Sequence, residues 1–475
     1  VNIAAPGASG ISQNSYTRFD VDSSGLIFNN SAQPANTQLG GFIPGNANLA
    51  QGSARLILNE ISGSLPSQLN GYMEVAGQKA DVVIANPAGI TCNGCGFINT
   101  SKGTLAAGTT LFGSDGSLSG FRVEDGRLHI GGAGLNASNT DRLNLYGRAL
   151  VLNAELHARD LQVVTGANTI NAATGVATPL GTTTGEPAFA IDSSSLGGMY
   201  ANRIRLVGTE AGLGMRLAAP VAAMNGNLEI TNNGDVRLVR ASATQAASIR
   251  TQGDLHINND GNAGQGGVSA GTALTLAATG DLAIGEGTDL TGAATTISAA
   301  SVNTAATSGI AARGGLTITA DVQHLQGTIA SQGSITLDGM LVENIGVVAA
   351  TAGMNVTADT LINRGTVSSN GGISRMLLTD VLDNDNGLMQ LGGDLQISAD
   401  RITNIQASLA AEGLLAISSN TAIDNTGGVL QGNGGINLSA LGLGNVGGEV
   451  VGNSDITLVL ASGGLDNTDV LIETL

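Results

Sequence analysis

The chain has 475 residues and a formal charge of −18, from 37 acidic and 19 basic side chains. That balance excludes nucleic acid as a partner, because phosphate binding needs clustered Lys and Arg, and it disfavours adsorption to anionic lipid. Glycine accounts for 71 residues, aromatics for 2% and charged residues for only 12%, with no Trp; a compact sphere wants more bulk inside and more charge outside, whereas a solenoid of short strands around a thin aliphatic core needs neither.

A hydrophobic share of 42% argues against disorder. No run of about 18 apolar residues exists that would cross a membrane as a helix. The chain opens at Val1 without Met or a signal peptide, as a processed N-terminus would.

In chain order, the first part is irregular. All seven Phe, all four Tyr, all eight Pro and both Cys lie at or before Pro220, which sets a boundary between 1–225 and 226–475. Gly45-Asn46-Ala47-Asn48-Leu49 comes first. Asn86-Pro87-Ala88-Gly89-Ile90 follows a strand-like run and is a good β-turn sequence, with Pro at the second position. Cys92 and Cys95 follow at once. A zinc site would need two more ligands, and the four His (129, 157, 256 and 324) do not supply them. A redox pair would open a helix in a βαβ unit, which nothing here supports. A structural disulfide fits an exported protein, and a reduced pair buried as small apolar groups is the remaining reading. Asp and Glu are scattered with no hydrolase pair, so no catalytic residue, metal site or cofactor is assigned.

After residue 225 the sequence is a nearly pure repeat. Strands with period-2 alternation recur at Leu316-Thr317-Ile318, Ile335-Thr336-Leu337, Met354-Asn355-Val356, Leu395-Gln396-Ile397, Leu415-Ala416-Ile417, Ile436-Asn437-Leu438 and Ile456-Thr457-Leu458. An Asn marks each period at Asn344, Asn363, Asn384, Asn404, Asn425, Asn445 and Asn467, in steps of 19 to 22 residues. His324 is expected in the same slot one turn earlier. Like strands one turn apart pair in parallel, and the Asn amides are expected to stack into a hydrogen-bonded ladder. The fold class is therefore all-β: a right-handed, single-stranded parallel β-helix, with about a dozen rungs over ~60 Å in the repeat. The pattern reaches Leu475 unbroken, so the chain reads as part of a longer protein.

The turn sequences carry a resemblance. Asn86-Pro87-Ala88-Gly89-Ile90 is similar to the N-P-N-G-I motif, and Asn46-Ala47-Asn48-Leu49 to the N-P-N-L motif, of two-partner-secretion exoproteins of the filamentous haemagglutinin type. Gly197-Gly198-Met199-Tyr200-Ala201-Asn202 and Gly208-Thr209-Glu210-Ala211-Gly212 resemble the segment that closes their secretion domain. The chain departs at Ala47, where the motif has Pro, and at Ala88, where it has Asn. The Cys pair resembles haemolysins and contact-dependent growth inhibition exoproteins more than filamentous haemagglutinin proper.

The resemblance implies an N-terminal cap and extra-helical hairpins on the coil. It implies a secretion domain over 1–225 that directs export through a partner outer-membrane β-barrel transporter. Asn46, Asn48, Leu49, Asn86, Pro87, Gly89 and Ile90 are the recognition candidates. The protein would pass the periplasm after signal-peptide removal and reach the medium or the cell surface as a monomer. Its repeats would present a distal region that is a growth-inhibition toxin or, alternatively, a haemolysin or adhesin with a target-cell receptor. The rival class, a polysaccharide-degrading β-helix enzyme, needs an Asp cluster with a basic residue on adjacent turns, and no such cluster recurs at the repeat spacing.

Overall fold

The computed structural model describes residues 1–181, 185, 187–258, 265–468 and 471–474. It divides into two compact units, Val1–Gly253 and Asp254–Leu475, and the main sheet of each pairs in parallel from turn to turn.

In the first unit one inward column runs Ile57, Val82, Gly103, Leu143, Leu161, Ile204, Leu228, Ala247, each paired with the next. These positions are buried, and the aliphatic ones are at most 2% exposed. Each buried Leu or Ile stabilises the coil by about 1.5–3 kcal/mol relative to exposure. Gly103 is the exception in size. A Cβ there would lie 2.7 Å from the ring of Phe97, so the aromatic fills the space that the glycine leaves.

The interval between paired positions varies widely. Ser12 pairs with Ile57, Gly103 with Leu143 and Leu161 with Ile204; each gap of 40 residues or more contains a departure from the coil. The first departure is the antiparallel hairpin Ala35–Thr37 with Gly41–Ile43. The other two supply Thr109–Phe112 with Leu118–Val123, and Asn168–Asn171 with Ala177–Pro179. Those four strands form a separate antiparallel sheet. Its Phe121, Val123 and Ile170 pack on Leu58, Val83, Tyr146 and Val164 of the coil's outer face. Burial there pushes the Tyr146 phenol pKa up. At the N-terminus the Val1 ammonium donates to the Ile27 carbonyl, Tyr16 meets Phe19 edge to face at 5.2 Å, and Phe19 stacks on Phe28 at 6.3 Å between ring centroids.

The second unit is regular. Leu316 pairs with Ile335 and Ile335 with Met354; Ser374, Leu395, Leu415, Ile436 and Ile456 continue the column in steps of 20 or 21 residues. Ser374 stands where its neighbours have an aliphatic residue, and its hydroxyl accepts the Met354 N–H at 3.1 Å. That polar substitution hid one turn from the apolar pattern.

Candidate functional site

The two Asn motifs of the first unit are one device used twice. Asn46 is 1% exposed. Its Oδ1 accepts the Asn48 N–H at 3.0 Å and caps the short 3-10 turn Ala47–Leu49. Its Nδ2 donates to the Ile3 carbonyl at 2.9 Å and the Asn29 carbonyl at 3.0 Å. Leu49 is buried beneath the turn, while Ala47 and Asn48 are exposed. Asn86 is fully buried. Its Oδ1 accepts the Ala88 N–H at 3.0 Å, and its Nδ2 donates to the Leu65 carbonyl at 3.1 Å and the Ser67 hydroxyl at 3.0 Å.

In each case a side-chain amide closes its own turn and staples it to a distant segment. Pro87 is exposed at the crest, and Gly89 and Ile90 are buried behind it. Gly89 has φ +113°, and a Cβ would lie 2.9 Å from the Arg127 carbonyl oxygen; both facts demand glycine. The departures at Ala47 and Ala88 leave this intact. The first is a solvent-facing position, and the second contributes its backbone N–H.

Cys92 and Cys95 are joined by a disulfide and buried, which removes both sulfurs from metal or thiol chemistry. The turn between them is braced from the next coil, because the Asn93 Oδ1 accepts the Ala133 N–H at 2.9 Å. Among the described residues no group of three or more His, Cys, Asp or Glu is placed to hold a metal.

The segments near residues 197–212 also carry defined contacts. Tyr200 stacks on His157 with ring centroids 5.3 Å apart. Glu210 meets Arg148, whose side chain is 1% exposed: Nη2 lies 2.8 Å from Glu210 Oε1 and Nη1 2.9 Å from Asp125 Oδ1. Those charged contacts raise the guanidinium pKa above its ordinary value. Sequence reasoning missed Arg148. Its one signal is a cation set between Leu145-Tyr146-Gly147 and the apolar strand Ala149–Leu152. It missed Glu74 as well, a 4% exposed carboxylate that accepts the Gln38 and Leu39 N–H groups at 2.7 and 2.8 Å and so tethers the hairpin turn.

A family model described as the TPS secretion domain matches residues 1–238, half of the chain. The chain belongs to the TPS secretion domain family. Its TPS half is similar to the "tRNA nuclease CdiA-2" of Burkholderia pseudomallei (strain 1026b), 47% identical over 248 residues, and to "Toxin CdiA" of Yersinia pestis, 45% identical over 253 residues. These matches take in 52% and 53% of this chain and 8% of each relative, so the chain spans a small part of the relatives' length. A solved filamentous hemagglutinin secretion domain superposes with a TM-score of 0.53 at 30% identity, covering 58% of this chain and 92% of that one. The two amide-stapled turns, the disulfide and the Arg148 cluster all lie inside the TPS half.

The Asn column lies in the second unit. Asn344 Nδ2 donates to Asn363 Oδ1 at 2.8 Å, and the pattern repeats through Asn384, Asn404, Asn425, Asn445 and Asn467 at 2.6–2.9 Å. Asn344 to Asn445 are at most 1% exposed, and Asn467 is exposed. The expectation for His324 is corrected by the register. Leu325, not His324, pairs with Asn344. His324 points outward, with Nδ1 2.6 Å from Glu343 Oε2. An aliphatic residue below Asn344 offers no amide, and Asn344 Oδ1 is buried without a donor.

Proposed function

We propose that the TPS half directs export of this chain through a dedicated outer-membrane β-barrel transporter, and that the repeats carry a distal toxin region of the contact-dependent growth inhibition kind. The observation that carries the first part is the family match over 1–238, supported by a fold likeness that covers nearly the whole of a secretion domain. The toxin part is favoured over a haemolysin or adhesin because the relatives at 44–47% identity carry toxin or nuclease names. Catalysis, if the whole protein has any, belongs outside this chain, which acts as address and support and uses no cofactor. The chain reaches the periplasm with a signal peptide that is removed, and leaves as a monomer for the medium or the cell surface.

Within the TPS half, Asn46 and Asn86 act by shaping their turns. Both amides are consumed by internal hydrogen bonds, so contact with the transporter falls to what those turns display: Ala47, Asn48 and Pro87. Gly89 and Ile90 hold the second turn, and Leu49 the first. The test is a secretion assay on the chain with a signal peptide, in cells with and without the partner barrel. Release into the medium only when the barrel is present is the expected result. Equal release without it would overturn the proposal.

A further inference from the structure

The four-stranded antiparallel sheet does not seal against the coil along its whole length. Under one edge lies a cleft of about 200 Å³. Its floor is the outer face of the coil, with Leu56, Val83 and Thr104, and its roof is Leu118 and Phe121 of the sheet with Ala172 of the adjoining turn. Val83 and Phe121 are buried, but Leu56, Leu118 and Ala172 are only partly covered. Thr104 is 1% exposed. Its Oγ1 accepts the Asn144 Nδ2–H at 3.3 Å, and its own O–H has no acceptor among the described residues.

The mouth of the cleft is charged. Arg55, Asp81 and Lys102 stand along it on three consecutive turns of the coil. Asp81 lies 3.4 Å from the Lys102 ammonium, which pairs one charge of each sign. Arg55 is left over. Its Nη2 donates to the Ser9 carbonyl at 2.6 Å, and among the described residues no carboxylate pairs with it. The Ser9 hydroxyl in turn donates to the Gly116 carbonyl at 3.3 Å, which ties this corner to the hairpin turn of the sheet. Asp115 on that turn is engaged with its own neighbour: its Oδ1 accepts the Ser117 N–H at 3.0 Å and the Ser117 hydroxyl at 2.7 Å. A guanidinium carries five N–H donors, so most of the Arg55 fork is open to another acceptor.

We propose that this cleft binds a small monocarboxylate with an apolar body, of the arylalkanoic acid kind, with the body under the sheet and the carboxylate on Arg55. The planar guanidinium matches a carboxylate edge. Leu56, Leu118 and Ala172 lose their remaining contact with water when an apolar body enters. A space near 200 Å³ takes about one six-membered ring, since a cavity of ~150 Å³ holds benzene. The Thr104 O–H offers one donor to an oxygen carried on that body. Asp81 at the mouth repels a second carboxylate, which selects a monoacid over a diacid. The site needs the folded coil and sheet together, and it is independent of the export reading.

The test titrates the intact chain by calorimetry with 3-phenylpropanoate. The controls are 3-phenylpropanamide, which keeps the body without the charge, and acetate, which keeps the charge without the body. Expected is saturable binding of the acid, at least about tenfold weaker binding of either control, and an affinity for the acid that falls between about 50 and 300 mM NaCl. Arg55→Gln, at an exposed side chain, should raise Kd about tenfold. Lys102→Gln should raise it about threefold, because Asp81 is then unpaired at the mouth, and Asp81→Asn should lower it about threefold. Ala173→Trp, at an exposed position lining the cleft, should fill the space and abolish binding. Melting of the Arg55 and Ala173 variants within a few degrees of the parent separates binding from folding. Absence of saturable binding to the parent chain up to about 10 mM acid would overturn the proposal. So would equal affinity for acid and amide, or parent affinity in either Arg55→Gln or Ala173→Trp.

Discussion

The two units differ most in charge and in rhythm. Val1–Gly253 carries 15 basic and 16 acidic residues, and Asp254–Leu475 carries 4 and 21. The first unit leaves its coil three times to build antiparallel elements. The central turns of the second repeat every 19–21 residues with an amide in the same place. Near-neutral charge with paired ions, buried ion clusters and roofed faces suits a surface made for recognition. Uniform acidity with one repeated core suits a segment that has to fold turn by turn and stay unaggregated. The same strand geometry serves both, and what differs is whether the corners and outer faces are individual or interchangeable.

That contrast can be sharpened by removing an individual feature from the first unit. Arg148→Ala leaves Glu210, only 10% exposed, without its cation. It should cost about 4 kcal/mol, read as an earlier urea transition of Val1–Gly253 with hydrogen exchange of Leu395–Ala399 unchanged. A loss under about 1 kcal/mol would mean that the cluster is peripheral. Asn86→Asp sets a carboxylate against the Leu65 carbonyl, where an amide now donates. A cost of about 3 kcal/mol is expected, because a buried acceptor loses its donor and a charge is buried. Export and melting temperature should fall together. Export lost at unchanged melting would show that the transporter touches this amide after all.

In the second unit the effects should be smaller and local. Asn404→Leu removes the donor to Asn425 Oδ1 and one of the two acceptors of Asn384 Nδ2, which keeps the Ser408 carbonyl, at about 1–3 kcal/mol. Exchange should quicken near those two residues and not at Leu316. Uniform loosening would contradict coupling between nearest neighbours. The smallest effect concerns acid. Burial pushes the Asp383 carboxyl up, but the Arg364 hydrogen bonds and charge, with the Asp385 N–H and the Thr403 hydroxyl, together outweigh it, and its pKa lies below the ordinary value. A depressed carboxylate contributes stability above the unfolded pKa of about 3.9 and loses it as pH falls through the lower folded value. Asp383→Asn should therefore flatten a small part of the acid destabilisation below about pH 4, by less than ~1 kcal/mol because the pair is partly exposed. An unchanged acid profile would rule that contribution out.

How much was legible depends on periodicity. The Asn steps and the alternating strands are repeated signals, so the coil and its ladder could be read from Asn344 onward. His324 was misplaced because step counting tolerates a shift of one residue, and in a strand one residue exchanges inside for outside. Ser374 broke the apolar pattern without breaking the coil. In the first unit the motifs at Asn46 and Asn86 were visible as turns, but not the burial of their amides, since their acceptors lie 17 to 43 residues away. Arg148 and Glu74 could not be found, because a single buried ion has no period and its partners come from remote corners. The pairing of Asp160 with both Arg142 and Arg203 likewise exists only once turns 18 and 43 residues apart are stacked.

The most direct measurement is export of the two units separately. Residues 1–253 and residues 254–475 would each be given the same signal peptide and expressed with the partner barrel, and the protein in the medium compared with that in the periplasm. The first fragment is expected in the medium and the second in the periplasm, although the second is the more regular. Release of residues 254–475 alone, or retention of a folded 1–253, would contradict the assignment of transporter recognition to the TPS half.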